Sequence, residues 1–265
     1  MLKDVTLGQF FPGDTVVHKL DPRTKILLVI VYIAAIFQAE GWLGALLAVG
    51  VTGLAMTLSR IRPKNILRGL KPMLFIIALT ALLNLFYTAG TPVLPGWPIT
   101  VEGVIRAVQM MLRITLLITG TFLLTYTTSP IALTDGLEKL LNPLKKIRFP
   151  VHEMTIMMSM ALRFIPTLIE ETDKIMSAQK SRGADFETGS LLQRAKALLP
   201  ILVPLFVSSF RRADELAVAM ESRCYHGGEG RTRMKELRFA RRDWLALAEG
   251  IVFLAGMIVI KKIGL

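Results

Sequence analysis

Cysteine is almost absent from this chain. Of 265 residues one is a cysteine, Cys224, which excludes an intramolecular disulfide and any multi-cysteine metal site. Histidine is scarce too: His18, His152 and His226 stand far apart and show no ligand spacing, so neither a metal nor a cofactor is expected. No Gly-rich loop runs into Lys-Ser or Lys-Thr, and neither His-Glu-x-x-His nor Gly-x-Ser-x-Gly occurs. A chain without a phosphate-cradling loop is expected to be no enzyme, and any energy from ATP must come from another chain. Acidic residues are under-represented, 20 Asp+Glu against 32 Lys+Arg, for a net charge of +12. A cleavable signal is also missing: the first apolar run, 26–37, follows a basic segment and has no small-residue pattern after it. Insertion is therefore expected to use the helices of the mature chain.

What is abundant is apolar surface. Hydrophobic residues make up 52% of the chain, and this together with the strong positive charge points to several membrane helices plus a polar portion. A bilayer core of about 30 Å takes roughly 20 mainly apolar residues to cross. Four stretches before Thr128 approach that length, at 24–39, 42–58, 72–88 and 104–126, and a fifth lies at 244–260. Basic residues favour cytoplasmic loops. Arg60, Arg62, Lys64, Arg68 and Lys71 follow the second stretch, whereas the connections at 39–41 and 88–103 have none. The N-terminus, with His18, Lys19, Arg23 and Lys25, then reads as internal, as does everything after the fourth stretch. Lys261 and Lys262 at the external end of the last span run against this rule.

The internal region, 127–243, is too long for a loop and too apolar for a solvated domain. Residues 134–147 form an amphipathic pattern with Leu137, Leu140, Leu141 and Leu144 on one face, broken at Phe149-Pro150. Two longer helical patterns follow at 151–182 and 191–223. Each starts apolar and ends polar, the first expected to kink at Pro166 and the second containing Pro200 and Pro204. Offset by 41 positions, Asp173 matches Asp214, Ala178 matches Ala219, Ser181 matches Ser222 and Arg182 matches Arg223. A basic run then leads into the last span, with Arg231, Arg233, Lys235, Arg238, Arg241 and Arg242. Because it abuts a span, it reads as a membrane-surface anchor and not as a nucleic-acid site.

Two motifs therefore close the two long helices: Ser181-Arg182-Gly183 and Ser222-Arg223-Cys224. An ordinary structural reading exists for the first, since a basic residue complements a helix C-terminus and Gly183 suits a left-handed cap. The second has a cysteine where that glycine stands, although Gly227-Gly228 would end the helix a turn later. Taken as a pair they read as docking prongs, because guanidinium offers a planar fork that bonds a carboxylate twice. Three charges fall inside spans: Arg106, near enough to an end to snorkel, and Arg113 and Glu249, which either pair with each other or bond exposed carbonyls. Met154, Met157, Met158 and Met160 read first as apolar filling.

These residues resemble the T-component, the transmembrane coupling subunit, of energy-coupling factor transporters. The resemblance rests on Phe11-Pro12-Gly13-Asp14-Thr15 followed by His18-x-Leu20-Asp21-Pro22-Arg23-Thr24-Lys25, which looks like that family's opening signature. It rests also on the stretches Ala178-Gln179-Lys180-Ser181-Arg182-Gly183-Ala184-Asp185 and Ala219-Met220-Glu221-Ser222-Arg223, similar to its two short Ala-Arg-Gly motifs. This chain departs from the family in having Ser181 and Ser222 for alanine and Cys224 for glycine. The resemblance implies that Arg182 and Arg223 insert into grooves of two ABC-type ATPase subunits. It further implies that the long helices cradle a separate substrate-binding membrane S-component, whose substrate is a micronutrient, a vitamin or a transition-metal ion.

The expected fold is thus all-α: a polytopic membrane bundle with long kinked amphipathic coupling helices at the cytoplasmic face. Residues 1–126 are expected to form the N-terminal bundle, 127–242 the coupling region and 243–265 a last transmembrane helix, in the cytoplasmic membrane with the N-terminus inside. The ATPase-coupling residues are Arg182, Arg223, Ser181, Gly183, Ser222 and Cys224. A self-contained secondary transporter using Arg113 and Glu249 is the alternative, and a lipid-acting enzyme would require an acid/base or nucleophile cluster that the spans do not contain.

Overall fold

The computed structural model describes residues 10–39, 41–92, 99–186, 188, 190–227 and 236–263. In chain order its α-helices are α1 Pro22–Gln38, α2 Gly41–Ser59, α3 Pro63–Leu70, α4 Leu74–Tyr87, α5 Val101–Thr127, α6 Pro130–Leu141, α7 Val151–Ser181, α8 Leu191–Ala197, α9 Leu199–Glu221 and α10 Arg241–Ile263. Extended pairing among the described residues is limited to one isolated bridge between Pro92 and Thr100. The described residues divide into two compact units, one within 10–140 together with 237–263 and the other within 141–236.

Among the described residues, five stretches are long and apolar enough to cross a membrane by length and composition: Gly41–Ser59, Pro63–Tyr87, Val101–Thr127, Leu192–Glu221 and Arg241–Ile263. Four coincide with expected spans. The fifth differs: α1 has 17 residues, roughly 25 Å at 1.5 Å per residue, while 192–221, read from sequence as a coupling helix, is long and apolar enough. The helix of 134–147 also differs from its expectation. α6 begins at Pro130 and ends at Leu141, and Asn142–Ile147 continues as a 3-10 helix, because Pro143 brings no N–H to the α-helical ladder.

In the first unit the helices start where their sequences allow it. Asp21 caps α1 by accepting from Arg23 N, with Pro22 at the first position, and Thr100 caps α5 by accepting from Gly103 N at 3.1 Å. α5 packs against α1, α2, α3 and α4, and α10 lies against α1 and α2. One core patch joins Ala35, Ile36, Ala48, Leu116, Phe253 and Met257; a second joins Ile61, Ile66, Leu70, Ile77, Leu123 and Tyr126. Gly120 is required where α1 meets α5: a Cβ there would sit 2.3 Å from the Tyr32 ring. Tyr32 uses that space to donate to Leu116 O at 3.0 Å, with its hydroxyl 2.8 Å from Thr52 Oγ1. Many large apolar side chains stay exposed, among them Phe75 (75%), Leu46 (72%) and Leu245 (71%), as lipid-facing surface does.

The opening signature becomes a clamp at the end of this unit where α1 and α10 begin and α5 ends. Lys25, 6% exposed, donates its three ammonium protons to His18 O (3.2 Å), Thr127 O (2.8 Å) and Thr128 Oγ1 (3.2 Å). Asp243, 1% exposed, accepts from Asp21 N through Oδ1 and from Ala240 N through Oδ2, both at 2.8 Å. Arg23 grips Asp21 with Nε and Nη2 at 3.0 and 2.8 Å and lies 4.0 Å over the Phe239 ring. Burial pushes the Asp21 carboxyl up, but the Arg23 side chain and backbone N–H outweigh it and hold it below its ordinary value. His18 is tied at both nitrogens, Nε2 to Phe11 O at 3.0 Å and Nδ1 to Thr15 Oγ1 at 2.6 Å.

In the second unit α7 packs against α9. α7 runs 31 residues through Pro166, which removes the donor that the Leu162 carbonyl would otherwise have. Ser190 opens α8 with a capping box to Gln193, and α9 follows with Pro204 inside it.

Candidate functional site

The two motifs terminate their helices in the same way. At the end of α7, Gly183 takes φ +87°, Gly183 N donates to Lys180 O and Ala184 N reaches back to Gln179 O, both at 3.0 Å. At the end of α9, Cys224 takes φ 55°, Cys224 N donates to Glu221 O at 2.8 Å and Tyr225 N reaches back to Met220 O at 3.0 Å. Both are Schellman-type ends with one left-handed residue, and every partner in the second is the first shifted by 41 positions. The serines repeat as well: Ser181 Oγ donates to Ser177 O at 3.1 Å and Ser222 Oγ to Val218 O at 2.8 Å.

This corrects one expectation. Cys224 does take the place of the glycine, and α9 ends there, a turn before Gly227. Capping thus explains where both helices stop, but it uses backbone groups alone. Arg182 and Arg223 are both exposed, and among the described residues neither guanidinium has an ion-pair partner.

Where the helices cross, Arg212 Nη2 meets Glu171 Oε2 at 2.5 Å, and Ser208 Oγ donates to Glu171 Oε1 at 2.5 Å. Further along α7, Gln179 Nε2 donates to Pro200 O at 3.4 Å. Contacts that advance along α7 while retreating along α9 make the pair antiparallel. Glu171 and Arg212 are themselves 41 apart, so the crossing joins equivalent points of the two helices. Each motif arginine lies eleven residues beyond its member of this ion pair, an arm of roughly 16 Å. Arg182 and Arg223 are therefore not brought together; they point away from the crossing in opposite directions. The Ser208 hydrogen bond, with Arg212 beside it, outweighs desolvation and holds the Glu171 carboxyl below the usual carboxylate range.

The other sequence candidates resolve individually. Arg113 does not pair with Glu249: its Nη2 donates to Ala39 O at 2.6 Å, at the C-terminus of α1. Arg106 and Glu249 are exposed. Met154, Met157 and Met158 are exposed on α7, Met157 at 61%, so they do not fill a core within this chain. Arg231, Arg233 and Lys235 lie outside the described residues, as does Glu40 of the 39–41 connection. Sequence reasoning missed Glu171, Ser208 and Arg212, though the 41-residue offset was the signal that finds the pair. It also missed Asp243, whose partner is 222 positions away.

Comparison with known proteins agrees with these features. The cobalt transport protein family matches residues 13–234. The energy-coupling factor transporter transmembrane protein EcfT of Clostridium kluyveri is 56% identical over 250 residues, 93% of each chain. The proteins of the same name from Ruminiclostridium cellulolyticum and Lactococcus lactis subsp. cremoris are 51% and 46% identical over 99% of this chain and 99% and 100% of theirs. An all-helical chain with lipid-compatible helices and two matched arginine ends, related to these proteins over nearly its full length, belongs to the EcfT family of energy-coupling factor transporter transmembrane proteins.

Proposed function

We propose that this chain couples two ABC-type ATPase subunits to a substrate-binding membrane S-component, and that Arg182 and Arg223 are its contacts with the ATPases. The observation that carries the reading is the pair of exposed arginines at matching helix ends, held apart by a crossing at equivalent positions. An exposed, permanently charged fork suits an acidic groove on a partner. Two forks facing apart suit two copies of that partner. Ser181, Gly183, Ser222 and Cys224 hold the arginines at the helix ends. Closure of the ATPase pair on ATP would change the spacing of its two grooves and turn α7 against α9. That turn would pass to the S-component lying on their apolar surface, where Met157, Phe206 and Phe210 are exposed at 61, 61 and 69%.

On this reading the chain hydrolyses nothing, and the S-component chooses the micronutrient, a vitamin or a transition-metal ion. Residues 1–126 and 243–265 anchor it in the cytoplasmic membrane with the N-terminus inside, and 127–242 work at the inner face. Leu192–Glu221 is long and apolar enough to cross by length and composition, but its uncharged run is 197–210, between Lys196 and Arg211, about two thirds of the roughly 20 residues a crossing needs, and this favours a surface position. The secondary-transporter alternative, in which Arg113 and Glu249 line a path, is less well supported, since the Arg113 guanidinium bonds the Ala39 carbonyl.

The test is the double variant Arg182→Ala with Arg223→Ala in the assembled complex. Truncating one side of a desolvated charge pair costs about 2–5 kcal/mol, so both ATPases should fail to co-purify or uptake should fall at least tenfold. Normal assembly together with normal uptake would refute the coupling role.

A further inference from the structure

A groove of about 380 Å³ runs along the first unit between α1, α2, α5 and α10. Leu20, Leu58, Thr127 and Arg242 line one end, and Tyr32 and Phe253 lie at the other. Along α10 the groove extends from Arg242 to Phe253, eleven residues or roughly 16 Å. That is about half of a 30 Å hydrocarbon core: the groove has the depth of one leaflet. A helix about 10 Å across that spanned both leaflets would not stop there.

The walls are leucine, valine and alanine, and the charges are placed at defined depths. Lys25 reaches the groove, but its three protons are taken by the carbonyls and hydroxyl of the clamp. Arg242 is exposed at the same end, and among the described residues it has no ion-pair partner. Glu249 sits seven positions on, two turns deeper on the same face of α10, and helical side chains lean toward the N-terminus.

From this arrangement we infer that the groove is a binding site for a phospholipid with an anionic headgroup. The phosphate sits on the Arg242 guanidinium and one acyl chain runs along Leu245, Ala246 and Gly250 toward Phe253. A phosphate accepts two parallel hydrogen bonds from the guanidinium fork, and the chain covers apolar wall that this protein leaves open.

The site is testable on the full chain, incubated with mixed phosphatidylglycerol and phosphatidylcholine vesicles and analysed by native mass spectrometry. Phosphatidylglycerol should be retained in preference. Arg242→Gln, a surface change, should lower that retention about fivefold, the worth of one basic residue at an anionic surface, and lower phosphatidylcholine retention less, because choline offsets the charge of its phosphate. Ala246→Phe should block the groove and release both lipids, while Leu46→Phe on exposed α2 surface should release neither. Equal retention by wild type, Arg242→Gln and Ala246→Phe would overturn the site, as would equal loss in Leu46→Phe. If Ala246→Phe leaves lipid retention intact but prevents complex assembly, the occupant is a partner helix and the proposal fails.

Discussion

Cys224 holds a backbone conformation that suits glycine, and this makes it the most informative single residue of the chain. A non-glycine residue in the left-handed region costs about 1 kcal/mol, so Cys224→Gly should stabilise the end of α9 by about that amount. Gly183→Ala should destabilise the end of α7 by a similar amount. A Cβ at Gly183 would meet nothing within 4 Å, so the effect there is one of φ alone, and melting temperatures of the two variants should move in opposite directions. Asp243 is a second residue with an outsized role. Its carboxylate satisfies two backbone N–H groups that begin two different helices. Asp243→Ala should therefore cost about 3 kcal/mol, read as a lowered melting temperature of the purified chain. Neither role follows from residue type: an aspartate before an apolar helix reads as a cap for that helix, and its second partner is visible only in three dimensions.

At the scale of elements, the α7–α9 crossing is the feature that organises the second unit. Its ion pair is part exposed, with Arg212 and Glu171 side chains at 35 and 22%, so solvent screens it and a double-mutant cycle on Glu171→Gln and Arg212→Gln should give only a weak coupling. The pH dependence has a definite sign. The Glu171 carboxyl is held below its ordinary value, so its contribution is fully present above the unfolded glutamate pKa of about 4.3 and is lost as pH falls through the depressed value in the folded chain. Asp21, also held below its ordinary value, loses stability in the same range in both proteins, so melting measured between pH 7 and 3 should fall less in Glu171→Gln than in the wild type. The helices themselves were legible, because long runs of apolar residues with polar ends carry their own period. The 3-10 stretch after α6 was missed because Leu144 keeps the apolar spacing across Pro143, where the hydrogen-bond ladder does not continue.

For the whole molecule, the single cysteine beside Arg223 gives a direct readout. Cys224 is exposed, so a membrane-impermeant maleimide should label it in inside-out vesicles and spare it in intact cells. Addition of the ATPase subunits should then shield it at least severalfold in wild type and not in Arg223→Ala. Labelling from outside would reverse the proposed orientation. Shielding that survives in Arg223→Ala would place the ATPase contact elsewhere.

The membrane character, the helical class and the two arginine ends with their 41-residue repeat were determined by the amino-acid sequence alone, because hydrophobic length and local motif spacing act within one helix. The antiparallel crossing that sends Arg182 and Arg223 in opposite directions was decided only in the tertiary structure. So were the clamp joining Lys25 and Asp243 to distant backbone groups, the bonding of Arg113 to Ala39 instead of Glu249, and the groove at Arg242. Each depends on which helices become neighbours, and a chain whose apolar faces serve lipid and protein alike does not encode that choice in the pattern of any one helix.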